Sequence, residues 1–221
     1  MNEDPPLDYP GYKSTALRAP RNERIELPLG PTELTAPKFG ESRLGGIDND
    51  LTRQHDGEPL GERIIVHGRV VEEDGRPVPD TLVEVWQCNA AGRYRHVGDQ
   101  HPAPLDPNFT GLGRTITGAD GGFRFITIKP GAYPWGNHHN AWRPAHIHFS
   151  LLGRAFTQRL VTQMYFPGDP LFFQDPIFNS VRDERARALM ISAFDLDNTS
   201  PEWALAYKWD IVLRQTPFED A

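Results

Sequence analysis

Cysteine is almost missing from this chain: Cys88 stands alone among 221 residues. No disulfide can form within the chain and no cysteine-only metal site can be built, so a reducing compartment is expected. Long apolar runs are missing as well. No stretch approaches the roughly 20 residues that a helix needs to span a bilayer, and the opening Met-Asn-Glu-Asp-Pro-Pro lacks the basic region and apolar core of a secretion signal. The expectation is a cytoplasmic protein. Positive charge is scarce, with 23 Lys and Arg against 30 Asp and Glu and a formal net charge of −7. That balance gives no long-range attraction for nucleic acid or an anionic membrane, so an anionic small substrate would need local arginines. Internal repeats and low-complexity tracts are absent too, which leaves one domain with an extension.

What is present is a core-forming composition, 38% hydrophobic and 10% aromatic, sufficient for one well-buried interior. Residues 1–60 hold eight of the 21 prolines and many charges without any sustained period of 2 or 3.6, so this extension cannot form a core by itself. It must be either mobile or pinned to something. From Glu62 onward short strand-like runs alternate with turn signals: RIIVHGRVV, then EDGRP, then TLVEVWQ. Asp120-Gly121-Gly122 is a hairpin signal ahead of FRFITI, where Phe123 and Phe125 alternate with Arg124. AHIHFSLL, RLVTQMYF and AYKWDIVLR extend the series. Only DERARALMISAF, residues 183–194, has the composition and spacing of a helix. Seven or so strands with little helix predict an all-β antiparallel sandwich or barrel over residues 61–221.

Within AHIHF, alternation puts His146 and His148 on one face and Ala145, Ile147 and Phe149 on the other. Two neutral imidazoles at strand spacing suit Zn, Cu, Fe or Ni; two half-buried histidines bonded to neighbours fit the bare motif equally well. Tyr94 in AAGRYRH and Tyr133 in KPGAYPW each follow a predicted strand, on loops, where sites concentrate. A phenol titrates near pH 10, so a phenolate at pH 7 costs about 4 kcal/mol without a cation beside it. Hard anionic phenolates favour Fe(III) over Fe(II), yet a loop tyrosine also serves simply to pack its ring. His138 and His139 are adjacent and point apart on an extended chain, so a solvent-exposed loop is expected there. His55, His67, His96 and His101 lack paired spacing, Arg93 and Arg95 read as a solvated pair, and Asp106 and Asp120 sit in turns.

Taken together, LVEVWQCNAAGRYRH, APLDPNF, the glycine-flanked AYPW, WRPAHIHF and TQMYFPGDP resemble the intradiol ring-cleaving dioxygenases, in an order specific to them. The likeness runs from about Tyr12 to Leu213. It implies the prealbumin-like sandwich of aromatic-compound dioxygenases and makes Tyr94, Tyr133, His146 and His148 the protein ligands of a mononuclear non-haem Fe(III), with Tyr133 the ligand that leaves when substrate binds. The resemblance further implies that Arg143 stabilises negative charge on the substrate ring, that Gln163, Trp135 and Ile177 line the pocket, and that Tyr12 meets a substrate carboxylate. The implied reaction is opening of protocatechuate by O₂ to 3-carboxy-cis,cis-muconate. Rival readings are cleavage of catechol or a substituted catechol, a non-catalytic sandwich subunit, and a Cu or Zn enzyme using the histidines alone. The implied partner is a homologous α subunit that shares the fold but lacks the iron ligands, against which residues 1–60 would pack.

Overall fold

The computed structural model describes residues 5–23, 25, 44–46, 48–137, 139, 141–152 and 159–213. Eleven strands are seen among them: β1 Arg63–Glu72, β2 Leu82–Trp86, β3 Leu112–Ile116, β4 Gly122–Ile128, β5 Tyr133–Trp135, β6 Ala141–Arg143, β7 His146–Leu152, β8 Arg159–Tyr165, β9 Ala193–Ser200, β10 Ala204–Lys208 and β11 Ile211–Leu213. Short helices are α1 Thr15–Arg18, α2 Pro176–Ser180 and α3 Glu184–Ala188, with a 3₁₀ turn at Phe172–Gln174.

Two sheets face each other. One has β1 at its centre, flanked by β4, β10 and β11, with β9 outside β10; the other has the order β3-β2-β7-β8. Alternation decides what lies between them. Ile64, Val66 and Val70 of β1 and Phe123 and Phe125 of β4 meet Val83 and Val85 of β2, Ile147, Phe149 and Leu151 of β7 and Met164 of β8 in one buried cluster. Edge-to-face contacts such as Phe125 with Phe149, centroids 6.2 Å apart, cross the gap. The expected sandwich is the observed one, and most described strand pairs are antiparallel. β1 is the exception, pairing parallel with β10 and β11.

Three expectations need correction. The Asp120-Gly121-Gly122 turn forms, with Gly121 at φ +77°, but the strands it joins pair in different sheets, β3 with β2 and β4 with β1. The signal marks a crossing between layers, not a hairpin. The helix expected over 183–194 stops at Ala188, because the next residues are drawn into sheet-like pairing: Tyr165 N–H donates to Met190 O and Ser192 N–H to Tyr165 O. Tertiary pairing overrides local propensity there, and β9 begins at Ala193. AYKWDIVLR is two strands, β10 and β11, separated at Trp209, whose N–H donates to His67 O at 2.8 Å.

The extension is pinned where it is described. Leu51 is fully buried within the central core, Leu51 N–H donates to Ile126 O, and Asp50 bridges Ile126. Near the N-terminus, Lys13 N–H donates to Asn137 O at 3.1 Å and Ser14 N–H to Asn137 Oδ1 at 2.9 Å, tying the α1 segment to the loop after β5.

Candidate metal centre and pocket

The outward face of the second sheet carries the site, and strand register assembles it. Trp86 of β2 pairs with His148 of β7, which pairs with Gln163 of β8; one step along, His146 pairs with Tyr165. Directly opposed residues on one face hold their Cβ atoms about 5 Å apart, so spacing of 2 within each strand becomes a cluster across three. Trp86 lies flat on His148, centroids 4.6 Å apart at 6°. The small β5–β6 sheet then covers this face, with Tyr133 opposite Arg143. Tyr133 was expected on a loop; it sits in this short strand. Tyr94 is on the loop after β2, held by its N–H donating to Asp99 Oδ2 at 2.7 Å.

These elements bring the two phenols and the two imidazoles together. Ring centroids are 4.9 Å apart for His146 and His148, 5.5 Å for Tyr133 and His146, 5.4 Å for Tyr94 and Tyr133 and 6.4 Å for Tyr94 and His148. Tyr133 Oη is 3.3 Å from His146 Nε2, close to the separation of two donor atoms that share a first-row metal at about 2 Å each. His146 Nδ1 is 2.7 Å from Pro144 O, a contact that needs the proton on Nδ1 and leaves the Nε2 lone pair facing the cluster. Gly92 makes the approach of the two tyrosine loops possible. It has φ +77°, and a Cβ there would lie 2.4 Å from Ala132 O, the residue before Tyr133.

Burial sets the protonation states. It pushes His146 well below the ordinary imidazole range, with Arg143 and His148 adding, and it takes His148 down to about 3, with Arg143 adding. Both imidazoles are neutral, and that of His146 presents its Nε2 lone pair to the cluster. Burial also raises both phenols, Tyr94 further with the help of Tyr133 and Cys88, while Arg143 partly offsets the rise for Tyr133. Neither phenol ionises near neutral pH without a strong cation at its oxygen. Tyr94 Oη is buried, and among the described residues it has no well-formed hydrogen bond, only the Tyr133 side chain being close enough to interact with it; an ion bound at that oxygen would satisfy it. Among the described residues no three His, Cys, Asp or Glu gather at a metal-binding distance; the groups that do gather are two imidazoles and two phenols. Two anionic hard oxygens and two neutral nitrogens suit a trivalent iron.

Around this cluster, Arg143 is 2% exposed and Asp175 fully buried. Arg143 Nε donates to Asp175 Oδ1 at 3.1 Å and one terminal nitrogen to Asp175 Oδ2 at 2.8 Å. The other terminal nitrogen is 3.0 Å from His146 Nε2. Gln163 accepts from Arg143 through Oε1 at 2.6 Å and offers its amide nitrogen to His148 Nδ1 at 3.2 Å. Trp135 lies under the Arg143 guanidinium at 5.3 Å, and Tyr12 meets Trp135 edge-on at 4.8 Å. Tyr12 thus reaches the pocket through Trp135. Ile177 is tied in by its backbone, with N–H donating to Asp175 Oδ1 at 3.1 Å. His139 is exposed, and His138 lies outside the described residues. Asp106 has the structural role that its turn implied, accepting from Leu60 and Asn108 N–H groups; Arg93 reaches Asp99 at 3.8 Å, and Arg95 is exposed.

Sequence reasoning missed Trp86, Tyr165 and Asp175. Trp86 and Tyr165 were within reach, since each falls on the site face by alternation, Tyr165 two residues after Gln163. Asp175 has only a local signal, Asp-Pro at the start of a helix, which is that of an N-cap.

The sandwich and this face define the class: the chain belongs to the intradiol ring-cleaving dioxygenases. Residues 34–215 match the sequence model of a family described as Dioxygenase, and residues 3–28 match one described as protocatechuate 3,4-dioxygenase beta subunit N terminal. The chain is 58% identical over 220 residues to the protocatechuate 3,4-dioxygenase beta chain of Burkholderia cepacia, covering 97% of this chain and 93% of that one. Hydroxyquinol 1,2-dioxygenase of Rhizobium sp. (strain MTP-10005) is 34% identical over 131 residues, 53% of this chain and 42% of that one. Among solved structures, 3-chlorocatechol 1,2-dioxygenase of Rhodococcus opacus 1CP superposes with a TM-score of 0.59 at 25% identity, covering 92% of this chain and 77% of that one.

Proposed function

We propose that this chain opens the ring of protocatechuate, 3,4-dihydroxybenzoate, between its two hydroxyl-bearing carbons, incorporating both atoms of O₂ to give 3-carboxy-cis,cis-muconate in aromatic catabolism by the β-ketoadipate route. Tyr94, Tyr133, His146 and His148 hold a mononuclear non-haem Fe(III). The observation that carries this reading is the buried Tyr94 Oη, without a well-formed hydrogen bond among the described residues, beside a second phenol and two imidazoles kept neutral by burial. A ferric ion held there would supply the positive charge that keeps both phenols ionised and would draw electron density from the diol. The chain's own groups do the rest. Tyr133 accepts a proton from the diol as a phenolate base, Arg143 stabilises negative charge on the ring, Gln163, Trp135 and Ile177 line the pocket, and Tyr12 receives the carboxylate.

Residues 61–221 form the catalytic sandwich, and residues 1–60 are an extension that packs on a homologous α subunit in a cytoplasmic hetero-oligomer. The similarity over 97% of the chain to a protocatechuate 3,4-dioxygenase beta chain supports both substrate and partner. No described helix is long and apolar enough to cross a membrane. Oxygen uptake with protocatechuate and with catechol, each with and without the α chain, tests the proposal. Uptake on protocatechuate by a red, iron-containing protein is expected; a colourless protein after expression with ample iron, or a preference for catechol, overturns it.

A further inference from the structure

The Arg143 guanidinium has five N–H donors in a rigid fork, and three of its contacts are set by groups with no place in the ligand cluster. Asp175 receives Nε–H and one terminal N–H through its two oxygens, while Tyr165 Oη lies 3.1 Å from the same terminal nitrogen. The Tyr165 hydroxyl is also 2.9 Å from Asp175 Oδ2 and 2.8 Å from Gln163 Oε1. Its ring meets the stacked pair of Phe172 and Phe178 edge-on, at 5.9 and 5.2 Å. Asp175 in turn caps α2 through the Ile177 N–H. One buried carboxylate therefore bonds the arginine and the backbone of a pocket residue, and shares with Gln163 Oε1 the single proton of the Tyr165 hydroxyl. Only the second terminal nitrogen of Arg143 is left to face the cluster.

Charge makes the arrangement specific. A buried guanidinium with no counterion is strongly disfavoured, and a carboxylate alone in the same place equally so; together they are neutral and geometrically fixed. Resting on the function proposed above, we infer that Asp175 is a positioning residue for ring opening. It holds Arg143 so that a single donor points at His146, and through the Arg143 nitrogen that also donates to Gln163 Oε1 it sets the orientation of the Gln163 amide. Once the His146 Nε2 lone pair is committed to a metal, the Tyr133 side chain is the acceptor left to that Arg143 donor among its described contacts. An oxygen carried by the substrate would take over that donor where it displaces the Tyr133 oxygen. Among its described contacts Asp175 touches none of the four ligand residues, and it acts through Arg143.

The test is a double-mutant cycle on the full chain, iron-loaded and assembled with its partner. Asp175→Asn keeps the size of the side chain and an acceptor for the Ile177 N–H but removes the charge. Iron content and the tyrosinate-to-iron absorption are expected to match the parent protein, and protocatechuate added without O₂ is expected to bind with an affinity changed less than about threefold. kcat is expected to fall about 10- to 100-fold, the usual effect of losing an outer partner at a metal site. In an Arg143→Gln background the same substitution is expected to have no further effect on kcat. Tyr165→Phe is the second variant, with an expected loss of about 2- to 10-fold from one hydrogen bond. A kcat for Asp175→Asn equal to the parent's overturns the inference, as does an undiminished effect in the Arg143→Gln background. If Asp175→Asn does not fold, an unchanged Tyr165→Phe enzyme overturns it instead. Should the parent protein itself bind no iron, the proposed function fails, and the cycle read as melting temperatures of the iron-free protein still reports on the ion pair: additive effects there overturn the coupling of Asp175 to Arg143.

Discussion

Trp86 lies parallel to His148, 6° from coplanar with ring centroids 4.6 Å apart, and it reaches that position because the two residues are direct register partners on β2 and β7. The stack fixes the plane of an imidazole whose Nδ1 is already held by Gln163. Trp86→Leu removes the flat surface while keeping an apolar side chain, so the histidine gains rotational freedom. We expect a loss of about 1–2 kcal/mol in stability, from the ring pair and lost area, and about tenfold weaker iron retention. Trp86→Phe should recover most of both. Thermal melting and iron release to a chelator measure the two effects separately; unchanged retention in Trp86→Leu would contradict the orienting role.

Tyr94 gives a prediction in which stability and metal binding move in opposite directions. Its hydroxyl is buried and, among the described residues, meets only the Tyr133 side chain without a well-formed hydrogen bond, so Tyr94→Phe removes a poorly satisfied group. The iron-free protein is expected to become more stable by about 1 kcal/mol, while iron binding and the red colour fall away. Tyr133→Phe differs, because that hydroxyl lies 3.3 Å from His146 Nε2; its loss is expected to cost the iron-free protein up to about 1 kcal/mol. Melting curves of the chelated variants, set beside their iron content, check both signs.

The parts of this site that alternation controls were legible in the chain. His146 and His148 share a face because a strand has period 2, and their neighbours Ile147 and Phe149 are buried in the core as that period requires. The same rule reaches Trp86 and Tyr165 once β2, β7 and β8 are known to be adjacent, but adjacency is a matter of sheet order, which no local pattern encodes. Asp175 is 32 residues from Arg143, and its local signal is fully explained by capping α2. β9 was hidden for another reason: it is an edge strand whose residues are mostly exposed, so AFDLDNTS has little apolar alternation to reveal it. The helix that seemed to run into it ends early, at Ala188, because pairing with Tyr165 outweighs the helix propensity of the residues that follow.

Gly92 is a point where backbone conformation and function meet. A side chain there faces both a left-handed backbone, φ +77°, and a Cβ 2.4 Å from Ala132 O. Gly75 has a similar φ of +83° with nothing within 4 Å of the added carbon, so it isolates the conformational cost. Gly75→Ala is expected to destabilise by about 1–2 kcal/mol and leave iron content alone. Gly92→Ala should exceed that and also lower iron stoichiometry, because the loop that carries Tyr94 is forced away from the strand that carries Tyr133. Equal melting temperatures and equal iron content for the two variants would count against close packing as the means of bringing the phenols together.

Stability of the iron-free protein should depend on pH through the two histidines, with a sign that follows from burial. His146 is held well below the ordinary imidazole range and His148 down to about 3, in both cases chiefly by desolvation, whereas in the unfolded chain each takes up a proton near pH 6.5. From pH 6.5 down toward 3 the unfolded state therefore binds more protons than the folded one. Stability rises with pH across that window, is complete above pH 6.5, and is lost as pH falls, by about 1.4 kcal/mol per pH unit for each histidine. The carboxylates held low, such as Asp48 beside Arg114, start from an ordinary value of 3.8 and contribute only below it, so the interval from pH 6 to 4.5 belongs to the imidazoles. Denaturant midpoints of chelated protein across that interval should steepen accordingly, and His148→Gln should remove about half of the slope. Protons and metal compete for the same lone pairs, but in the folded protein that competition begins only near pH 3, so the iron-loaded protein is expected to keep its metal across the interval; a slope that His148→Gln leaves unchanged would show that the buried imidazoles are not its source.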